Sequence, residues 1–182
     1  MSDLSDGMLI DKVRRDDLQI YGVLVQRYQE SVIGVCYRLM GNMEGADDMA
    51  QEAFIRGYKR LHQYDKSRPF GPWIRKIAAN LCISELKKRR IEAELREENI
   101  AHLQLDWRGN PEQAAQDCDQ SEIIQAALLS LPAENRIMIE LRHFHEMNYD
   151  EIAHFLKVPL IMVKSRLFRG RKMMAALLRG IE

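Results

Sequence analysis

The sequence predicts an all-α fold: two small helical domains, an N-terminal helical bundle and a C-terminal helix-turn-helix bundle, joined by an acidic linker. Three observations predict it. Apolar residues recur at three- and four-residue steps through most of the chain, and no segment alternates as a strand does. Aromatic residues make up only 7% and there are five prolines, a composition that with this periodicity disfavours an all-β chain. Charge is also segregated. Residues 1–90 carry a net +4, residues 91–120 a net −6 and residues 121–182 a net +2, so the overall zero conceals two basic parts flanking an acidic one. A length of 182 residues accommodates two small domains, with boundaries expected at 1–92, 93–120 (the linker) and 121–182.

The elements can be taken in chain order. Tyr21, Leu24, Val25, Tyr28, Val32, Val35, Cys36 and Leu39 mark a first helix. Gly41-Asn42 ends it with residues that tolerate a left-handed backbone. A second helix carries Ala46, Met49, Ala50, Ala53, Phe54, Gly57 and Leu61 on one face, and Asp47, Asp48, Gln51, Glu52, Arg56, Lys59 and Arg60 on the other. A third begins near Phe70, among Pro69 and Gly71-Pro72, and continues through Ile74, Ile77, Ala78 and Leu81 to the basic run Lys87–Arg90. EAELREEN extends that helix or leaves it, and Gly109-Asn110-Pro111 breaks the linker. Beyond it, Ile123, Ile124, Ala127 and Leu128 mark one helix before Leu131-Pro132, and Ile137, Met138, Leu141 and Phe144 mark the next. Asn148-Tyr149-Asp150-Glu151 reads as a capping box opening a short helix to Leu156. A turn at Lys157-Val158 comes next, with Pro159 expected at the first position of a last helix through Val163, Leu167, Met174 and Leu177.

Several function classes are excluded by what is missing. No run approaches the roughly 18 apolar residues of a membrane helix, and MSDLSDGMLIDKVRR lacks the basic start and apolar stretch of a signal peptide, so a cytoplasmic chain without membrane insertion is expected. Cys36, Cys82 and Cys118 are too scattered for a zinc knuckle or a disulfide framework, and buried free thiols are expected. Asp47, Asp48 and Glu52 suit a helix start and a surface pair with Arg56 better than a metal, since no HxxE or ExxH accompanies them. His62 stands alone, and His143, His145 and His154 fall on different helix faces. No nucleophile–base pattern or phosphate loop is present. The expectation is no catalytic residue, metal, cofactor or small-molecule substrate.

Two constellations point to nucleic acid. Two short helices separated by a tight turn, the second basic, form the layout of a helix-turn-helix. Lys164, Arg166, Arg169, Arg171, Lys172 and Arg179 lie on that second helix without an intervening acid, and Lys164, Ser165, Phe168 and Arg169 share the side opposite its buried stripe. They are candidates to reach bases or phosphates. On the third helix Trp73, Lys76, Asn80, Ser84 and Lys87 form one stripe. Cations track phosphates, an aromatic stacks and an amide reads a base edge, so this stripe suits opened or single-stranded DNA.

Three segments in order resemble one family across almost the whole chain. CYRLMGNMEGADDMAQEAFIRGYKRLHQYD is similar to the core-binding segment of bacterial RNA polymerase sigma factors of the extracytoplasmic-function (ECF) group. FGPWIRKIAANLCISELKKRR is similar to their promoter-melting segment, and LPAENRIMIELRHFHEMNYDEIAHFLKVPLIMVKSRLFRGRKMM to their second DNA-binding domain. The resemblance implies an alternative sigma factor that binds core RNA polymerase, directs it to specific promoters and helps to melt them. It implies that Asp47, Asp48, Gln51, Glu52 and Arg56 dock on the polymerase. It further implies that the loop Asp65–Pro72 and the helix bearing Asn80 capture a base flipped from the −10 element, at an unstacking cost of a few kcal/mol. Tyr64, Phe70, Trp73, Lys76, Ile77, Asn80, Ser84 and Lys87 would serve there. Lys164, Ser165, Arg166, Phe168, Arg169 and Lys172 would read the −35 duplex, and the acidic linker would thread toward the polymerase active-site channel. An anti-sigma factor is the further partner implied.

Departures from the family pattern are local. Lys157 stands where the helix-turn-helix turn usually has Gly, at a cost of roughly 1 kcal/mol if the turn stays left-handed. Ile161-Met162 stand where Gly-Thr is usual, which removes a hydroxyl from the recognition helix and exposes two apolar groups suited either to thymine methyls or to the surface of an inhibitor. Pro69 and Pro72 flank Phe70 and would stiffen the melting loop. The rival readings are a free-standing helix-turn-helix regulator with a sensing or dimerising bundle, a helical-bundle metalloenzyme, and a pure interaction protein.

Overall fold

A computed structural model describes residues 4–15, 18–95 and 120–179. The chain divides after Glu85 into two compact units. Among the described residues every regular element is helical: α1 (Asp6–Val13), α2 (Leu18–Met40), α3 (Met43–Lys59), α4 (Phe70–Leu95), α5 (Gln120–Leu129), α6 (Ala133–Ile139), α7 (Tyr149–Leu156) and α8 (Leu160–Arg179). The predicted acidic linker falls largely on residues outside this description, as does Cys118; Cys36 and Cys82 are free and buried. No helix among the described residues is long and apolar enough to cross a membrane.

In the first unit α2 and α3 form an antiparallel pair about a two-residue joint. Gly41 has φ 83°, which reverses the chain at little steric cost. Asn42 then caps α3, its Oδ1 accepting from the Gly45 N–H at 2.7 Å. The expected stripe of α2 is buried at Tyr21, Leu24, Val32, Val35, Cys36 and Leu39, with Val25 and Tyr28 half-buried. The buried side of α3 consists mainly of small residues (Ala46, Ala50, Ala53, Gly57) around Phe54. Close approach requires this: a Cβ on Gly57 would lie 2.6 Å from the Ile74 side chain on α4 and 3.1 Å from the Tyr21 hydroxyl. That hydroxyl donates to the Phe54 carbonyl at 2.7 Å, tying α2 to α3 within the core.

An additional helix precedes this pair. Ser5 caps α1, which buries Leu9, Ile10 and Val13. The third predicted helix starts at Phe70 as expected but runs past the basic segment to Leu95. Pro72 is accommodated because first-turn N–H groups have no helical acceptor.

In the second unit the capping box is complete. The Glu151 N–H donates to Asn148 Oδ1 at 2.9 Å, and the Asn148 N–H donates to Glu151 Oε2 at 2.7 Å. Lys157 adopts the left-handed conformation, φ 56° and ψ 48°. Pro159 lies one place earlier than expected, just ahead of α8, where its carbonyl accepts from the Met162 and Val163 N–H groups. The run through Ile137 and Phe144 departs from a uniform helix. After Ile139 it widens to a π turn over Glu140–Phe144. Phe144, at the end of this turn, is 42% exposed and lines an apolar hollow with Ile124, Leu128, Ile139 and Met174.

Candidate nucleic-acid and protein interfaces

The outward face of α3 carries the predicted docking residues together. Asp48, Gln51 and Arg56 are exposed, and Asp47 and Glu52 are half-buried. Arg56 Nε donates to Glu52 Oε1 at 2.5 Å across one helical turn, so the face presents a surface ion pair beside Asp48. Ile55 lies among them at 49% exposure, an apolar group that the periodicity argument did not select. Its signal was visible: it falls outside the three-and-four series of the buried side. No group of three metal-ligating side chains occurs among the described residues.

The approach to α4 is built on an aromatic cluster. The Tyr64 ring lies 5.6 Å from Phe70, edge-on, and 5.0 Å from Trp73, while Phe70 lies 5.4 Å from Trp73 and 5.3 Å from Tyr28. Tyr64 and Phe70 are buried, as is Ile77, so these three predicted site residues form the floor of the region and present almost no surface to a base. Trp73 is half-buried at the edge of the cluster. Lys76, Asn80, Ser84 and Lys87 lie along the α4 stripe, with Asn80, Ser84 and Lys87 turned outward beyond the cluster. Ser84 donates its hydroxyl to the Asn80 backbone carbonyl at 2.8 Å, and Asn80 itself is exposed.

The loop ahead of α4 is held from several sides. Tyr64 donates its hydroxyl to the Arg68 carbonyl. Asp65 accepts from the Ser67 N–H at 3.0 Å, which holds its carboxyl below the usual carboxylate range. Arg14, just beyond α1, donates from Nη2 to the Leu61 carbonyl at 2.8 Å and to the Tyr64 carbonyl at 2.6 Å. Lys66 pairs with Asp11 of α1, and its hydrogen bond likewise lowers the Asp11 pKa. Neither α1 nor these contacts were anticipated. The cap Ser5 ahead of Leu9, Ile10 and Val13 was a usable signal for the helix, but the long-range partners of Arg14 had none.

On α8, Lys164, Ser165, Phe168, Arg169 and Lys172 are exposed, as the opposite-side argument requires. Phe168 is 70% exposed, and Arg169 Nη2 donates to Ser165 Oγ at 3.0 Å. Arg166 differs from the other candidates. It is half-buried and donates from Nη2 to Glu134 at 2.5 Å, so its charge is directed to α6. Nearby, partial burial and the Arg171 and Arg142 charges lower the pKa of His143.

Comparison with known proteins matches these parts in order. Residues 24–91 match the Sigma-70 region 2 family and residues 121–174 the Sigma-70, region 4 family. The chain is 34% identical to the ECF RNA polymerase sigma factor SigW of Bacillus subtilis (strain 168), over 94% of this chain and 96% of that one. It is 31% identical to the ECF RNA polymerase sigma-E factor of Escherichia coli (strain K12), over 93% and 92%. Among solved structures, its fold is similar to the sigma factor RpoE in complex with the anti-sigma factor NepR from Bartonella quintana, with TM-score 0.62, 18% identity and coverage of 89% and 98%. It is also similar to CnrH in complex with the cytosolic domain of CnrY, with TM-score 0.54, 22% identity and coverage of 96% and 97%. Near-complete alignment at this identity, with both sigma-70 regions in sequence, establishes that the chain belongs to the ECF family of RNA polymerase sigma factors.

Proposed function

We propose that this protein is an alternative sigma factor that binds core RNA polymerase, directs it to a specific promoter class and stabilises the opened DNA. The observation that carries this is the presence of both sigma-70 regions on a chain that aligns end to end with ECF sigma factors. A free-standing regulator is disfavoured by the same alignment.

Each interface then has a role. Residues 1–92 act on polymerase and the −10 element, and residues 121–182 on the −35 element. The α3 face of Asp47, Asp48, Gln51, Glu52 and Arg56 docks on core polymerase, with Ile55 supplying apolar area within a charged patch. On α4, Trp73 stacks, Asn80 reads a base edge, and Lys76 and Lys87 neutralise phosphates of the melted strand, while Tyr64, Phe70 and Ile77 support them from below. On α8, Lys164, Ser165, Phe168, Arg169 and Lys172 meet duplex DNA, and Arg166 braces the helix against Glu134. The chain forms and breaks no covalent bond, and its work is done in the cytoplasm beside polymerase. The solved relatives are bound to partner proteins, one of them a named anti-sigma factor, and a partner of that kind is inferred here too.

The test is in vitro transcription with purified core polymerase across a library of bacterial promoter fragments. Discrete starts dependent on the protein are expected. Asp48→Arg should lose co-elution with core polymerase while its circular dichroism stays unchanged. Asn80→Ala should keep co-elution and lose permanganate reactivity of promoter thymines. Absence of both starts and a core complex, with the chain folded, overturns the proposal.

A further inference from the structure

The buried side of α8 is defined by Val163, Leu167 and Gly170. At about 100° per residue, the direction opposite them is taken by Ile161, Ser165, Phe168 and Lys172, at steps of four, three and four. Lys164 lies on one flank of this ridge and Arg169 on the other. The ridge thus has cations at its sides and hydrocarbon along much of its crest: Ile161 is 74% exposed and Phe168 70% exposed.

A helix with no acid between residues 160 and 179 suits a polyanion. Within a helix-turn-helix, the first turn of the second helix meets base edges. Ile161 is the second residue of α8 and projects from that turn. A branched aliphatic side chain offers no hydrogen bond, so it discriminates bases only through apolar contact. In the major groove the one apolar group on a base edge is the C5-methyl of thymine.

We propose that Ile161 is a specificity-determining residue that packs on a thymine methyl in the −35 duplex. This rests on the assignment of α8 to that duplex. The flanking Lys164 and Arg169 then hold phosphates on the two walls of the groove, positioning the crest without selecting sequence. Since family members usually carry Gly at this position, the thymine preference distinguishes this chain's promoters from those of such relatives.

Holoenzyme reconstituted from core polymerase and the full chain is used to select binders from duplexes randomised across the −35 element. Each thymine of the selected element, on either strand, is then replaced by uracil, which removes the methyl and preserves the pairing edge. One position is expected at which uracil weakens wild-type binding about fourfold, from ~0.8 kcal/mol per buried methyl-sized group and ~1.4 kcal/mol per tenfold. At that position Ile161→Ala should bind thymine and uracil alike, and Ile161→Val should retain discrimination. With Ile161 so exposed, neither variant threatens folding. Uniform tolerance of uracil by the wild type, an equal loss in wild type and Ile161→Ala, or a selected element without thymine overturns the proposal. A selection that yields no −35 element overturns the assignment of α8 itself, and the proposal with it.

Discussion

Lys157 sits left-handed between two helices, where its Cβ crowds its own carbonyl. The turn is kept nonetheless: the Lys157 N–H donates to the His154 carbonyl at 3.3 Å and the Val158 N–H to the Ala153 carbonyl at 3.0 Å. These bonds satisfy carbonyls that the end of α7 would otherwise leave open, and the capping box fixes the other end of the same short helix. Lys157→Gly should therefore raise stability by about 0.5–1 kcal/mol, somewhat less than the full left-handed penalty because glycine also gains freedom in the unfolded chain. Urea unfolding of the full chain, read by a probe in the second unit, checks this, and a variant no more stable than wild type would place the strain elsewhere. Both the departure at Lys157 and the turn itself were legible in the sequence. The role of Arg166 was not, since its ion pair with Glu134 depends on how α6 and α8 pack.

At the scale of elements, periodicity located α2, α3, α4, α5, α7 and α8 because each buries one continuous stripe. It failed where that assumption fails. The π turn after α6 changes the rotation per residue, and Phe144 at its end still lines an apolar hollow with Leu128 and Ile139 but is 42% exposed where the stripe predicted burial. The short α1 offered only Leu9, Ile10 and Val13, too few positions to define a period. Yet α1 and the Arg14 that succeeds it reach the loop ahead of α4 through a bidentate guanidinium and the Asp11–Lys66 pair. Charge-assisted bonds to two carbonyls are stronger than neutral ones, and losing them frees the loop at its first residues. Arg14→Ala should accordingly lower promoter opening by roughly three- to tenfold, the effect of about 1 kcal/mol, while core binding stays within about a factor of two of wild type. Permanganate reactivity and co-elution with core polymerase separate the two. Equal losses in both would mean that Arg14 supports the whole unit rather than the loop.

For the molecule as a whole, the all-α class and the order of its parts came from spacing and charge alone, because amphipathic helices declare their buried faces in one dimension. The interfaces were legible in part. Exposed polar stripes on α3, α4 and α8 lie where helical geometry put them, and Phe70 and Ile77 are buried with the apolar series of α4, whereas the burial of Tyr64 depends on tertiary packing against Phe70 and Trp73. The latch at Arg14 depends on packing too, since it closes over sequence separations of 47 and 50 residues. α1 is only eight residues long, and the Arg14 and Asp11–Lys66 contacts tie it to the loop, so neither holds its place without the other. α1 and the loop should therefore open as one small cooperative unit while α2 and α3 stay closed. Native-state hydrogen exchange would show this as matching, rapid exchange at the amides of Leu9–Val13 and Tyr64–Arg68, faster than at α2, and accelerated together by Arg14→Ala. Exchange of these amides at the rate of α2 would contradict it. The loop ahead of α4, which we propose faces the promoter, would then be set taut or slack by a reversible latch, with the helices beneath it unchanged.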